Sequence, residues 1–219
     1  MIRIIPKLEV KGPHLIKGIH LEGLRIVGNP HESAINYYAD GADEIIYIDL
    51  VASLYRRKYL LDLISKTADQ VFIPLTVGGG VKTLADFEML FRVGADKIAI
   101  NTGVVANPQL ISQVANKFGS QCVVVSIEAQ RKGNSWEPFT DCGRTPTGMD
   151  AITWAKDVAR LGAGEILVTS ISQDGTGKGF DTELIQSISS QVGIPVIGSG
   201  GGDTLEPFVQ AIYQGRADG

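Results

Sequence analysis

The chain has 219 residues, 44% of them hydrophobic and 26 of them glycine, enough to build one sizeable core. A formal net charge of −4 with no block of like charge excludes electrostatic capture of nucleic acid or of an anionic membrane. Cys122 and Cys142 lack metal-ligand spacing, no signal-peptide pattern opens the chain, and charges interrupt every apolar run, so a cytoplasmic protein without metal or cofactor is expected.

The first β-branched run, 3–8, begins at Arg3 and ends beside Glu9. A long loop with His14, Lys17 and His20 follows, then a helical period over His31–Asp40. Further strands are predicted at 45–49, 72–77, 97–100, 122–127, 165–170 and 194–198. Helical stretches separate them at Tyr59–Gln70, Leu84–Val93, Pro108–Phe118, Gly148–Leu161, Thr182–Gln191 and Leu205–Gln214. The strand runs are almost wholly apolar, as parallel strands covered on both faces should be. Seven βα units in succession without a long linker predict a (β/α)8 TIM barrel in a single domain, 1–219.

An internal repeat sharpens this reading. "GADEIIYIDL" (41–50) matches "GAGEILVTSI" (162–171), and "IPLTVGGGVKTLADF" (73–87) matches "IPVIGSGGGDTLEPF" (194–208). Both pairs are offset by 121 residues, so the chain reads as two homologous half-barrels, about 1–121 and 122–219. The second half stops at "GRADG" (215–219), where an eighth strand should begin, and the eighth βα unit is expected to be missing.

In such barrels the active site lies at the C-terminal ends of the strands. Glu9 and Glu128 fall at matching places in the two halves and should face each other across the mouth. Asp49 follows the second strand and Thr169 lies at the end of the sixth. Glycine lets backbone N–H groups approach an anion without a Cβ in the way. Gly79 and Gly80 with Asn101 and Thr102 therefore read as one phosphate nest, and Asp174 and Gly175 with Gly200 and Gly201 as another. The bland alternative is a tight βα turn, but two copies at symmetric positions favour a substrate with a phosphate at each end. At the strand starts, Arg3, Glu44, Lys97 and Glu165 place two cations and two anions on the floor. A solvated rim would explain one such residue; four of balanced sign suggest a ring that gates the axis.

These motifs, "VGGG", "INT", "LVTSISQDGT", "SGGG" and the ring, resemble the cyclase subunit of imidazole glycerol phosphate synthase, HisF, over essentially the whole chain. The resemblance implies a barrel that docks a glutaminase on its floor and receives ammonia through the axis. In that family ammonia attacks a bisphosphorylated ribulosyl intermediate, releasing imidazole glycerol phosphate and an aminoimidazole carboxamide ribotide. It also implies that Arg3, Glu44, Lys97 and Glu165 gate ammonia, that the nest residues bind phosphate, and that Lys17, Asp49 and Thr169 line the site. The family's acid–base pair is aspartate, where this chain has Glu9 and Glu128. One extra methylene moves each carboxyl by about 1.5 Å, and a misplacement near 1 Å can cost on the order of 100-fold in rate. "IIPKLEVKGPHLIKGIHLEGLR" looks more like HisF-like paralogues associated with surface polysaccharides, in which the barrel and a glutaminase supply ammonia to a sugar-amidating enzyme. That role is the first expectation. The alternatives are the histidine cyclase itself, with the two glutamates as acid and base, and a catalytically silent partner that only activates a glutaminase.

The remaining residues carry bland readings. His14, His20 and His31 lack ligand spacing, Cys142 lies in the polar insertion "FTDCGRTPTG" without a paired His, and Trp136 and Trp154 read as packing residues. "LYRRKY" (54–59) is a basic loop on the catalytic face, either phosphate-attracting or solvated.

Overall fold

A computed structural model describes residues 2–50 and 57–219, except for the side chains of residues 57 and 58. Residues 54–56 of the basic stretch 54–59 lie outside the described residues. In chain order the elements are β1 (Lys7–Lys11), β2 (His14–Ile19), β3 (Glu22–Gly28), α1 (Pro30–Ala39), β4 (Ile45–Asp49), α2 (Arg57–Ala68), β5 (Leu75–Gly78), α3 (Leu84–Arg92), β6 (Lys97–Ile100), α4 (Thr102–Ala106) and α5 (Gln109–Phe118). The second half contributes β7 (Val123–Lys132), β8 (Ser135–Thr140), β9 (Thr145–Pro146), α6 (Ala151–Leu161), β10 (Glu165–Ser170), α7 (Thr182–Ser189), β11 (Val196–Ser199) and α8 (Leu205–Tyr213).

The barrel wall runs β1-β4-β5-β6-β7-β10-β11, all parallel. Side chains alternate between its two faces. The outer face packs against the helices in a large core that includes Tyr47, Val77, Ile98, Val125 and Ile166. The inner face holds a small apolar layer of Ile46, Ala99, Val124, Leu167 and Ile197, with Ile5 and Ile48 packed on it. Helix starts follow local chemistry: Thr83 and Asp86 form a capping box on α3, and Asp150 and Asp181 cap α6 and α7.

Three features depart from the expectations. The first strand spans Lys7–Lys11, several residues later than predicted, so Arg3 precedes it. The first long loop is a β-hairpin, β2–β3, that pairs with β1 and continues the sheet above the mouth. β7 likewise runs beyond the barrel into an antiparallel pair with β8.

Residues 217–219 form no strand, but they hydrogen-bond alongside β11 where an eighth strand would lie. Asp218 N–H donates to the Val196 carbonyl (2.8 Å), and Val196 N–H donates to the Asp218 carboxylate (2.9 Å). Asp96 and Leu75 make the same reciprocal pair in the first half, at 2.9 and 2.8 Å. On the other side, Arg3 N–H donates to the Asp218 carbonyl (3.1 Å). Residues 217–219 thus bridge β11 to the segment before β1 and close the floor of the barrel.

Candidate active site

The floor ring forms as the charge pattern predicts. Arg3 Nη1 lies 2.6 Å from both Glu44 Oε1 and Glu165 Oε1. Lys97 Nζ lies 2.9 Å from Glu44 and 3.1 Å from Glu165. Cations and anions alternate, and each carboxylate has two partners. The Arg3 pKa is raised: burial opposes the charge, but hydrogen bonds to Glu44 and Glu165 outweigh it.

Above the inner apolar layer the mouth is polar. Strand register confirms that Glu9 and Glu128 are equivalent: Glu9 lies beside Ile48, and Glu128 beside Thr169, the repeat partner of Ile48. Their surroundings differ. Glu9 is buried between two lysines, with Oε1 at 3.1 Å from Lys7 Nζ and Oε2 at 3.4 Å from Lys17 Nζ. The same lysines reach Asp174 Oδ1, at 3.9 and 3.3 Å. Among the described residues, Glu128 Oε2, like Glu9 Oε1 and Asp174 Oδ2, is shielded from solvent without a hydrogen-bond partner, but Glu128 makes no ion pair with a lysine of the kind that holds Glu9. Burial pushes the Glu128 carboxyl up to about 7, although the Lys7 charge and the Gly143 N–H draw it down. Such a carboxyl is suited to take up or release a proton near neutral pH.

A cavity of about 370 Å³ opens on the first-half side of the mouth. Asp49, Gly79, Gly80, Asn101, Thr102 and Glu128 line it, as do Ser126, Lys82, Cys142 and Arg144, which sequence reasoning had not placed there. Gly79 has φ +111°, and a Cβ there would collide with the Asp49 carbonyl, so this close turn requires glycine. Asn101 Nδ2 donates to the Phe139 carbonyl (2.9 Å), and Thr102 Oγ1 accepts from Asp141 N–H (3.1 Å), anchoring the insertion after β7 to the cavity rim.

The second nest does not open into this cavity. A Cβ at Gly175 would meet the Gly18 carbonyl, and one at Gly201 the Gly179 carbonyl. The β2–β3 hairpin covers this side: His20 N–H donates to the Asp174 carbonyl (2.8 Å), and His20 Nδ1 is 3.0 Å from the Ile171 carbonyl. Thr169 is buried in the wall beside Glu128.

Of the site residues that the sequence reading missed, Lys7 and Cys142 bear most directly on the chemistry. Lys7 is largely but not fully buried, reaching Glu9 from two residues earlier on β1, and the alternation Ile5, Lys7, Glu9 was the available signal. Cys142 sits in the cavity wall, with its thiol pushed up to about 11, mainly by burial and next by the nearby Glu128. It therefore stays protonated, which agrees with its lack of a nucleophile's partner.

Barrels of this class combine two homologous halves with a site at the C-terminal mouth, and the comparisons identify which barrel this is. A family model described as histidine biosynthesis protein matches residues 3–219. Among curated relatives, the imidazole glycerol phosphate synthase subunit HisF of Legionella pneumophila is 60% identical over 208 residues, covering 94% of this chain and 98% of that protein. The HisF subunits of Gluconacetobacter diazotrophicus (48%; 98% of this chain, 83% of that protein) and Dehalococcoides mccartyi strain BAV1 (47%; 99% and 85%) are also similar. The chain belongs to the histidine biosynthesis protein family, within its HisF-type imidazole glycerol phosphate synthase subunits. None of these relatives carries a name that refers to polysaccharide or sugar amidation.

Proposed function

We propose that this chain is the ammonia-using synthase subunit of imidazole glycerol phosphate synthase, acting with a glutaminase that docks on the floor. The observation that carries the reading is Glu128: a buried carboxyl with its pKa near 7, at the wall of a cavity whose far side is the Gly79–Gly80 turn. In this reading one phosphate of the bisphosphorylated ribulosyl substrate rests on Gly79, Gly80, Asn101 and Thr102. Lys82 and Arg144 supply positive charge at the same cavity. The second phosphate engages Gly175, Gly200 and Gly201 once the hairpin is displaced. Ammonia enters past Arg3, Glu44, Lys97 and Glu165, and Glu128 exchanges the proton that ring closure requires. Exposed Ile2, Ile4 and Phe72, all near strand starts, give the floor an apolar surface for the glutaminase.

A second reading is favoured by one specific observation. Glu9, the other member of the expected pair, is tied to two lysines. Under that reading the barrel relays ammonia to a separate sugar-amidating enzyme and needs no second free carboxyl. Turnover of the bisphosphorylated ribulosyl substrate with added ammonium separates the two. An ordinary enzymatic rate supports the synthase; glutaminase activation without turnover of this substrate supports the relay.

A further inference from the structure

Glu9 and Glu128 occupy equivalent positions of the two half-barrels, yet the residues two places before them differ: Lys7 in one half, Ser126 in the other. Register makes this pair equivalent as well. Lys7 lies beside Ile46, and Ser126 beside Leu167, the repeat partner of Ile46. The barrel's pseudo-two-fold symmetry is therefore broken at the mouth by one largely buried ammonium.

We infer that Lys7 is a positioning residue: it holds Glu9 in an ion pair from inside the barrel and leaves Glu128 as the one member of the equivalent pair free to exchange a proton at the cavity. The geometry carries this. Lys7 Nζ is 3.1 Å from Glu9 and 3.9 Å from Asp174, and its side chain is only 15% exposed. Lys17 contacts the same two carboxylates, but from the β2–β3 hairpin and with 42% of its side chain exposed. If the hairpin lifts, Lys17 leaves with it. Lys7 is on a barrel strand and stays, so the asymmetry persists with the mouth open. Two carboxyls in unequal surroundings are how one site holds distinct proton-transfer roles.

The charged groups around Glu128 are consistent with this. Lys7 and Glu9 face it from β1, Asp174 from the turn after β10, and Cys142 from the insertion after β7. Arg144 and Asp141 lie on that same insertion. Among these, Lys7 is the cation whose charge acts directly on Glu128.

The inference bears on the proposed reaction, but its test needs no substrate. The full chain, labelled with carboxyl-¹³C glutamate, is titrated by NMR, with Glu128→Gln used to assign the Glu128 signal. The wild-type midpoint should lie near 7, well above the ordinary carboxylate range. Lys7→Gln should raise it by about one unit, because an opposite charge has been removed, while Lys7→Arg should leave it within a few tenths. An unchanged midpoint in Lys7→Gln, or an equal shift in both variants, would overturn the inference, the latter by marking a packing effect. If Lys7→Gln fails to fold, the Lys7→Arg titration still decides: a midpoint displaced despite the retained charge sinks the claim. Absence of turnover in the wild type would count against the synthase reading and leave this titration intact.

Discussion

Glu128 is held in the folded protein at about 7 and in the unfolded chain near 4.5. The folded state therefore binds the proton more tightly. Below the unfolded value both states are protonated and nothing is lost; as pH rises from there toward the folded value, the unfolded chain ionises while the buried carboxyl keeps its proton, so stability falls. At 1.4 kcal/mol per unit, the penalty above pH 7 is on the order of 3 kcal/mol. Glu128→Gln should accordingly stabilise the protein at pH 8 and change little at pH 4, read by urea denaturation at both. A stability difference independent of pH would contradict the assigned burial. On the floor, Lys97 is one of two cations serving two largely buried carboxylates. Lys97→Met leaves both to Arg3 and should cost about 2–3 kcal/mol, short of the full penalty for a deeply buried pair because the ring is partly wet; the same denaturation experiment measures it.

At the scale of elements, closure depends on the short segment 217–219. Asp218→Ala removes the acceptor for Val196 N–H and should cost about 1–2 kcal/mol, with faster amide exchange at Val196 than in the β4–β5 ladder. The parallel strands and their helices were legible because their residues are buried on both faces and read as continuous apolar runs. The β2–β3 hairpin was not. Its turn uses His20 and Leu21 at φ +55° and +61°, where a two-residue turn of this kind favours Asn or Gly, so no turn signal marks it. The same applies to Asp141 and Cys142, both at positive φ, which bring the thiol into the cavity wall. The glycines of both nests were legible as motifs, but whether a nest is open depends on what packs on it. The hairpin decides that for Gly175, and hairpin placement is a long-range matter that local sequence does not encode.

For the whole molecule, the two-fold repeat explains both what is shared and what differs. Each half supplies a carboxylate at the mouth and a glycine turn, while Lys7, the covering hairpin and three of the four ring residues (Arg3, Glu44 and Lys97) belong to the first half alone. If the ring admits ammonia, Lys97→Met should lower glutamine-driven turnover of the complex several-fold more than ammonium-driven turnover. Equal losses would reduce the ring to a structural role. The central claim is that this barrel performs synthase chemistry with Glu128 as its proton-transfer group. Ammonium-driven turnover of the bisphosphorylated ribulosyl substrate, compared between wild type and Glu128→Gln, tests it most directly. The account predicts product from the wild type and a loss of about 100- to 10,000-fold in the variant; no product from the wild type, or equal rates in both, would contradict it.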